Sequence, residues 1–181
     1  MKFRETNIPD VWLIDLEPHR DHRGFFSRTW CQRELQEHNL VNKIVQCNIG
    51  FSPRVGTLRG LHLQQSPHGE EKIVRCIRGK IFDVVVDLRP NSPTFLQTHQ
   101  IELSAEQLTQ IYIPQGVAHG YQTMCEDTEV MYQTSQFYHP ESCDGVRWDD
   151  PSLSIEWPLK VTEIAEVDRT WELLESKTAS L

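Results

Sequence analysis

The sequence lacks any apolar run long enough to cross a lipid bilayer, and its first residues, MKFRETNIPD, lack the apolar segment of a signal peptide. It also lacks paired cysteine motifs, since the five cysteines are odd in number and none is spaced C-x-x-C. This pattern is typical of reduced thiols and not of a disulfide framework or a zinc knuckle. We therefore expect a cytoplasmic protein with no membrane partner.

Basic charge is also scarce, because 18 Lys and Arg stand against 26 Asp and Glu and the net charge is −8 at pH 7. This balance argues against a general nucleic-acid binder and against a membrane-surface binder. The basic residues are nevertheless concentrated before residue 81, while acidic residues dominate the remainder. Two explanations stay open: a local anion-binding site, or an uneven but solvated surface.

What the sequence does contain is a series of turn signals at intervals of roughly 8–12 residues, separated by short segments rich in β-branched and aromatic residues. The segment 81–88, IFDVVVDL, alternates between a face of Phe, Val, Val and Leu and a face of Asp, Val and Asp. This pattern predicts a mostly β domain spanning residues 1–181, built as a sandwich or a barrel. A helix is predicted at 30–38 with Thr29 as its N-cap, and a second short helix at about 168–176.

One predicted strand, 130–138 (VMYQTSQFY), carries a wholly polar face formed by Tyr132, Thr134, Gln136 and Tyr138. Such a face lines a ligand cavity in a barrel mouth, or else it faces solvent. A solvent-facing strand more usually carries Lys and Glu, so the residue types favour the cavity.

A second unusual strand, 55–64 (VGTLRGLHLQ), carries Arg59 and His62 where a core strand would carry Val or Ile. Strict alternation directs these two side chains to opposite faces. Both reach one pocket if a β-bulge forms at Gly60. Lys72 on the next segment and His119 after a tight turn favour a site over a hydrogen-bonded core histidine.

The P-x-G-x-x-H motif at 114–119, together with the earlier histidine strand, outlines a cupin barrel. Metal-binding cupins need an H-x-H pair in that first strand, whereas this chain has His62-Leu63-Gln64. His62 and His119 alone are too few ligands for a divalent ion. His68 lies in a Pro-Gly loop that we expect outside the barrel, so the site is predicted to hold no metal.

Eight short motifs run through nearly the whole chain. They are DHRGFF at 21–26, LRGLH at 58–62, KIVR at 72–75, VVDLR at 85–89, SPTF at 92–95, IPQGVAHG at 113–120, WDDP at 148–151 and IEWP at 155–158. In this order the chain resembles the dTDP-4-dehydrorhamnose 3,5-epimerase family of deoxysugar biosynthesis, whose members are metal-free cupins. The resemblance implies a cupin-type β-barrel (jelly roll) with one or two short helices, and an isomerase that uses no cofactor. It also implies a nucleotide-sugar substrate and a homodimer whose N-terminal segment crosses to the partner.

The resemblance also implies how the chemistry is divided among four residues. A 4-keto sugar is acidic at the carbons that flank its carbonyl, so a base can remove a proton from C3 or C5. His62 is implied as that base, with Asp168 orienting its ring. Tyr132 is implied as the acid that returns a proton to the opposite face, and Lys72 as the positive charge beside the enolate oxygen.

The remaining implied site residues bind the substrate. Arg59 and His119 hold the sugar and its diphosphate, and Tyr138 stacks on the base. The other implied binding residues are Arg23, Arg28, Gln46 and Asn48.

The chain departs from the family pattern at positions that the resemblance associates with substrate binding. Arg28 and Cys143 stand where members carry Glu, Cys47 where they carry Asp, and Val167 where they carry Lys; Leu63 replaces the Tyr after the histidine. These departures leave open another NDP-4-keto sugar, or inversion at a single carbon. They also leave open a non-epimerase cupin, either a keto-isomerase or a sugar-binding protein.

Overall fold

The structure, a computed structural model, describes residues 1–41 and 43–175. Its strands are β1 (Lys2–Glu5), β2 (Trp12–Asp15), β3 (His19–Asp21), β4 (Gly24–Phe26), β5 (Gln46–Ser52), β6 (Thr57–Gln64), β7 (Lys72–Arg78), β8 (Lys80–Asp87), β9 (Thr98–Ser104), β10 (Thr109–Ile113), β11 (Val117–Thr123), β12 (Thr128–Thr134), β13 (Cys143–Gly145) and β14 (Glu163–Ile164). Its helices are α1 (Gln32–Glu37) and α2 (Glu166–Thr170), with 3₁₀ turns at Pro140–Ser142 and Pro151–Leu153. No helix within these described residues is long and apolar enough to span a bilayer.

The strands form two main sheets and one small hairpin. The first sheet has the order β1-β2-β10-β7-β12-β5, and the second has the order β13-β6-β11-β8-β9 with β14 parallel to β6. Every other strand pair is antiparallel, and most of these pairs join strands that are distant in the chain. The prediction of a mostly β, jelly-roll barrel with two short helices is confirmed.

The alternation predicted for 81–88 appears in β8. Val84 and Val86 pack on the outer face of the second sheet, and Ile81 and Val85 pack into the core between the sheets. That core also receives Val74 and other apolar side chains of the first sheet. Burial between two apolar sheet faces is the main stabilising term of such a sandwich, at about 25 cal/mol per Å² of apolar surface.

Helix α1 covers the outer face of the first sheet through Leu35, which is buried against Ile14, Ile73 and Tyr112. The predicted N-cap at Thr29 is wrong, because Cys31 holds that position without a side-chain cap. The Thr29 carbonyl instead accepts a hydrogen bond of 2.9 Å from Gln110 Nε2 on β10. That bond ties Thr29 to the sheet, so the helix begins later in the chain.

Helix α2 spans Glu166–Thr170, so it begins and ends earlier than the predicted span of 168–176; Ala165 before it is extended. This start places Asp168 in the first turn of the helix, next to β6. Ser176, at the end of the predicted span, lies outside the described residues.

The predicted bulge in β6 is confirmed. His119 of β11 faces His62, whereas Tyr121 faces Arg59, so β6 contains one residue more than its partner between these pairs. Gly60 has φ +125°, and a Cβ atom there would lie 2.5 Å from the Cα of Gly120. A glycine is therefore required where the two strands approach each other, and the bulge brings Arg59 and His62 to the same side of the sheet.

Candidate active site

A cavity of about 1060 Å³ opens between the two sheets, with walls formed by β5, β7 and β12 on one side and by β6 and β11 on the other. It is lined by all of the predicted site residues except two. The lining set is Gln46, Asn48, Arg59, His62, Lys72, His119, Tyr132, Tyr138 and Asp168. The fold thus brings these residues together from five β-strands of the two sheets, the loop that follows β12 and the helix α2.

His62 and Asp168 form a hydrogen-bonded pair at one wall of the cavity. The distance from His62 Nε2 to Asp168 Oδ1 is 2.5 Å, and Asp168 Oδ2 accepts a bond of 3.1 Å from the Gly60 backbone N–H. The Asp168 side chain is 2% exposed and the His62 side chain 44% exposed. With the Nε2 proton donated to Asp168, a neutral His62 ring has the lone pair of Nδ1 free to accept a proton.

Tyr132 lies on β12, in the sheet that faces His62 across the cavity. Its register partners are Asn48 on β5 and Val74 on β7, both of which also line the cavity. A proton acceptor and a phenolic proton donor therefore occupy opposite walls.

Lys72 starts β7 beside this gap. Its Nζ lies 2.9 Å from Glu70 and 3.5 Å from the backbone oxygen of His62, and its side chain is 13% exposed. The ammonium group is consequently held inside the cavity by a carboxylate neighbour. Glu70 was not predicted as a site residue, although its place two residues before Lys72 on an extended segment is a signal for a shared face.

His119 lies opposite His62 across the β6–β11 pair. Its Nε2 is 2.8 Å from Asp83 Oδ2, and the Asp83 side chain is fully buried. The sequence analysis missed Asp83 as a site residue; a carboxylate within the apolar run of β8 was the available signal. Each cavity histidine therefore has its own buried carboxylate.

Tyr121 is a further cavity residue that the sequence analysis missed. Burial raises the pKa of Tyr121 to about 12, while the nearby positive charge of Arg59 acts in the opposite direction. Tyr121 therefore stays protonated and contributes a neutral hydroxyl to the wall.

Arg59 is positioned by strand β5 of the other sheet. Its Nη2 donates to the Phe51 carbonyl at 3.0 Å and its Nε donates to Ser52 Oγ at 3.2 Å. Among the described residues no carboxylate lies within ion-pair distance of this guanidinium, so its charge remains available to an anion. Of the two explanations for the basic residues before position 81, Arg59 therefore favours a local anion-binding site over an uneven solvated surface.

The polar strand face predicted at 130–138 lies partly in the cavity. Tyr132 and Thr134 line it from β12, and Tyr138 lines it from the loop that follows; Gln136 is not among the described residues of the wall. At the mouth, a hydrogen bond with the Cys143 side chain raises the pKa of Tyr138. His68 stays out of the cavity lining, as predicted.

Arg23 and Arg28 are the two predicted residues that a single chain does not bring to the cavity. Arg23 lies at the β3–β4 turn and pairs with Asp21 at 2.5 Å, with its side chain 78% exposed. Arg28 pairs with Glu34 at 2.6 Å beside a separate, small depression. Of the positions that depart from the family pattern, Leu63, Cys143 and Val167 line the cavity, whereas Cys47 is exposed on the outer face of β5.

A family model, related proteins and solved structures all match this chain to one family. A family model described as dTDP-4-dehydrorhamnose 3,5-epimerase matches residues 5–176. The protein of that name from Methanothermobacter thermautotrophicus is 40% identical, over 99% of this chain and 98% of its own length. The one from Pseudomonas aeruginosa is 42% identical over 93% of each chain.

Solved structures extend this similarity to the fold. The dTDP-4-dehydrorhamnose 3,5-epimerase from Bacillus anthracis, with TDP and PPi bound, matches with a TM-score of 0.93 at 38% identity, over 96% of this chain and 99% of that one. The Legionella pneumophila epimerase in complex with dTDP-4-keto-L-rhamnose matches with a TM-score of 0.92 at 35% identity, over 99% and 95%. By motif order, fold and overall similarity, this chain belongs to the dTDP-4-dehydrorhamnose 3,5-epimerase family.

Proposed function

We propose that this epimerase inverts C3 and C5 of a dTDP-4-keto-6-deoxyhexose by removing and returning protons through an enolate. The observation that carries the proposal is the placement of the His62–Asp168 pair on one wall and Tyr132 on the facing wall, with Lys72 between them. The relatives named for this activity, and the solved neighbours that hold TDP or a dTDP-keto-sugar, support the same substrate class.

The first step is removal of a proton from a carbon next to the 4-keto group. His62 accepts this proton at Nδ1, because its Nε2 proton is committed to Asp168. The imidazolium that forms is stabilised by the Asp168 carboxylate, which is itself fixed by the Gly60 backbone N–H. Asp168 therefore acts as a positioning and charge-stabilising residue for the base.

The electron pair that the C–H bond leaves behind moves onto the keto oxygen and gives an enolate. Lys72 places its ammonium group where this negative charge develops, and a partly buried charge stabilises it more strongly than water does. Glu70 holds the Lys72 side chain in that position.

The second step returns a proton to the same carbon from the opposite face. Tyr132 donates it from the facing sheet, and the enolate collapses to the ketone with inverted configuration. One proton leaves and one arrives, so the sugar ring undergoes no net redox change and the step needs no cofactor. Before the second carbon reacts, His62 releases its proton to solvent and the Tyr132 phenolate takes one up.

The substrate is held by groups that surround this centre. Arg59 binds the diphosphate with its free guanidinium, and His119, fixed by Asp83, binds the sugar. Tyr138 stacks on the nucleobase at the mouth, where Gln46 and Asn48 supply amide groups to its edge.

We also propose that the protein is a homodimer in which the partner's Arg23 completes each cavity. The hairpin that carries Arg23 exposes Phe26 at 75%, and the outer face of β5 exposes Ile49 at 64%. On that same face, the buried Arg75 Nε and Gln133 Oε1 have no hydrogen-bond partner in the described part of the chain. Exposed apolar and unpaired polar groups on one face are typical of a surface that a second subunit covers.

A mixed dimer tests this arrangement. We expect Arg23→Ala and His62→Ala each to lose most activity, and mixing the two variants should restore activity if one chain's Arg23 completes the other chain's cavity. No recovery in proven heterodimers would place Arg23 in its own chain's site or outside the reaction. We further propose a cytoplasmic location, which the five free cysteines support.

The reaction itself is tested in deuterated water with a panel of 4-keto nucleotide sugars. Incorporation at both C3 and C5 of the dTDP substrate, with inversion at each, is the expected result. Exchange at one carbon would identify a mono-epimerase, and a better substrate with another base or sugar would redirect the assignment. No exchange with any member of the panel would contradict epimerisation.

A further inference from the structure

Two loops at the cavity mouth, one after β6 and one after β12, converge on the side chain of Gln64, which is 4% exposed. Its amide nitrogen donates to the backbone oxygens of His68 and Phe137, each at 3.1 Å, and its amide oxygen accepts from the His139 backbone N–H at 2.6 Å. The Gln65 backbone N–H also donates to the Ser142 carbonyl at 2.8 Å. These bonds fix the positions of the loop after β6 and the loop after β12 relative to each other.

This arrangement of the two loops places His68, His139 and Glu141 side by side. The two imidazole rings stack with their centroids 3.6 Å apart at an interplanar angle of 11°. His139 Nδ1 is 3.0 Å from Glu141 Oε1, and one ligand atom from each of the three residues lies within 4.8 Å of the others. None of the three residues lines the cavity, so the mechanism does not use them.

We propose that His68, His139 and Glu141 bind a divalent transition-metal ion of the zinc class. Two imidazoles and a carboxylate are a donor set that zinc accepts, at metal–ligand distances of about 2.0–2.2 Å, with a fourth position for water. The Ser142 hydroxyl lies 2.9 Å from His68 Nδ1 and fixes that ring, so that Nε2 is the nitrogen available to a metal.

Binding requires a small rearrangement of the pair. Lone pairs of imidazole nitrogens lie in the ring planes, so two nearly parallel rings cannot both aim at one ion until one of them tilts. The His139 and Glu141 side chains are 31% and 65% exposed and have room to turn, while the backbone of both loops stays fixed by Gln64. The bound ion would link the two loops and restrain Tyr138, the neighbour of His139, at the cavity mouth.

The test is titration of Co²⁺, and then of Zn²⁺, into metal-free full-length protein without substrate. Visible absorption of Co²⁺ reports coordination, and a sulfur-to-metal charge-transfer band would reveal binding by the free cysteines instead. We expect one ion per chain in the parent protein. His68→Gln, His139→Gln and Glu141→Gln remove this binding, and Ser142→Ala weakens it about tenfold.

His22→Gln is the control variant, because His22 is an exposed histidine that contributes no ligand atom to the cluster. It should bind Co²⁺ like the parent protein. Glu141 is mostly exposed, so its variant keeps the fold and separates a lost ligand from a lost structure. Equal binding by the parent and all three ligand variants, a thiolate band, or no stoichiometric binding by the parent would each overturn the proposal.

Discussion

The pairing of His62 with Asp168 allows a quantitative prediction for Asp168→Asn. The asparagine has nearly the same shape, and its amide oxygen can still accept the Gly60 N–H, so the fold should be retained. The variant lacks the negative charge 2.5 Å from His62 Nε2. A hydrogen bond to a charged group contributes about 1.5–3 kcal/mol.

This loss applies mainly in the transition state, where His62 gains its positive charge. We therefore expect kcat to fall roughly 10- to 100-fold, since 1.36 kcal/mol corresponds to a factor of ten, with little change in KM. His62→Ala removes the base itself and should cost roughly 10²–10⁴-fold. Steady-state epimerisation assays on folded variants measure both effects.

The double variant distinguishes a positioning role from a structural one. If Asp168 acts through the imidazole, adding Asp168→Asn to His62→Ala should produce no further loss, because the group on which it acts is absent. A multiplicative loss in the double variant, or full activity in Asp168→Asn, would refute the reasoning. Substantial activity in His62→Ala would end the assignment of the base.

Four further predictions follow from the described contacts. Tyr132→Phe should slow net epimerisation but still allow proton–deuterium exchange at the substrate, and equal loss of exchange in this variant and in His62→Ala would deny Tyr132 a separate role. Chelators should leave kcat at saturating substrate unchanged, because an ion at His68, His139 and Glu141 would act at the cavity mouth and not on the reacting atoms; a loss of kcat that metal restores would contradict the mechanism. Cys143 and Val167 line the cavity where the family pattern has charged residues, so dTDP and UDP should bind within about tenfold, or 1.4 kcal/mol, of each other; a hundredfold preference by calorimetry would contradict this. Burial alone would raise the pKa of Asp87, but its hydrogen bonds from Arg89, Ser92 and Thr94 outweigh burial and hold that pKa well below its ordinary value. The carboxylate therefore stabilises the fold above about pH 4 and loses this effect as the pH falls towards the lowered pKa. Asp87→Asn should lower the free energy of unfolding in urea by about 2 kcal/mol at pH 7, and the difference from the parent protein should narrow in acid. Equal stability of the two proteins at pH 7 would show that the network does not stabilise the fold.

Local patterns were sufficient to predict the features that depend on one strand. The alternation in β8 and the bulge at Gly60 follow from the spacing of side chains along an extended chain, which needs no knowledge of the neighbours. The start of α1 was not predictable in this way. Thr29 is bound to Gln110, a residue distant in sequence, and this contact cannot be read from the local pattern.

The site residues likewise divide into those visible in local sequence patterns and those defined by contacts between distant segments. His62 and Lys72 belong to short motifs and Tyr132 belongs to a polar strand face, all visible in the sequence. Asp83 instead becomes a site residue through its contact with His119 between strands β8 and β11. The stacking of His68 on His139 is likewise set by two loops that meet through Gln64. A sequence contains such residues but does not state which loops will meet.

The residues proposed to move protons belong to different sheets, so the distance between the two sheets affects catalysis. Packed sheets stand about 10 Å apart, and that gap is maintained by core side chains such as Val85 and Ile111, which do not line the cavity. Those side chains act as spacers that set the distance from imidazole to phenol. A volume change there should alter the rate of proton transfer without touching any group that contacts the sugar.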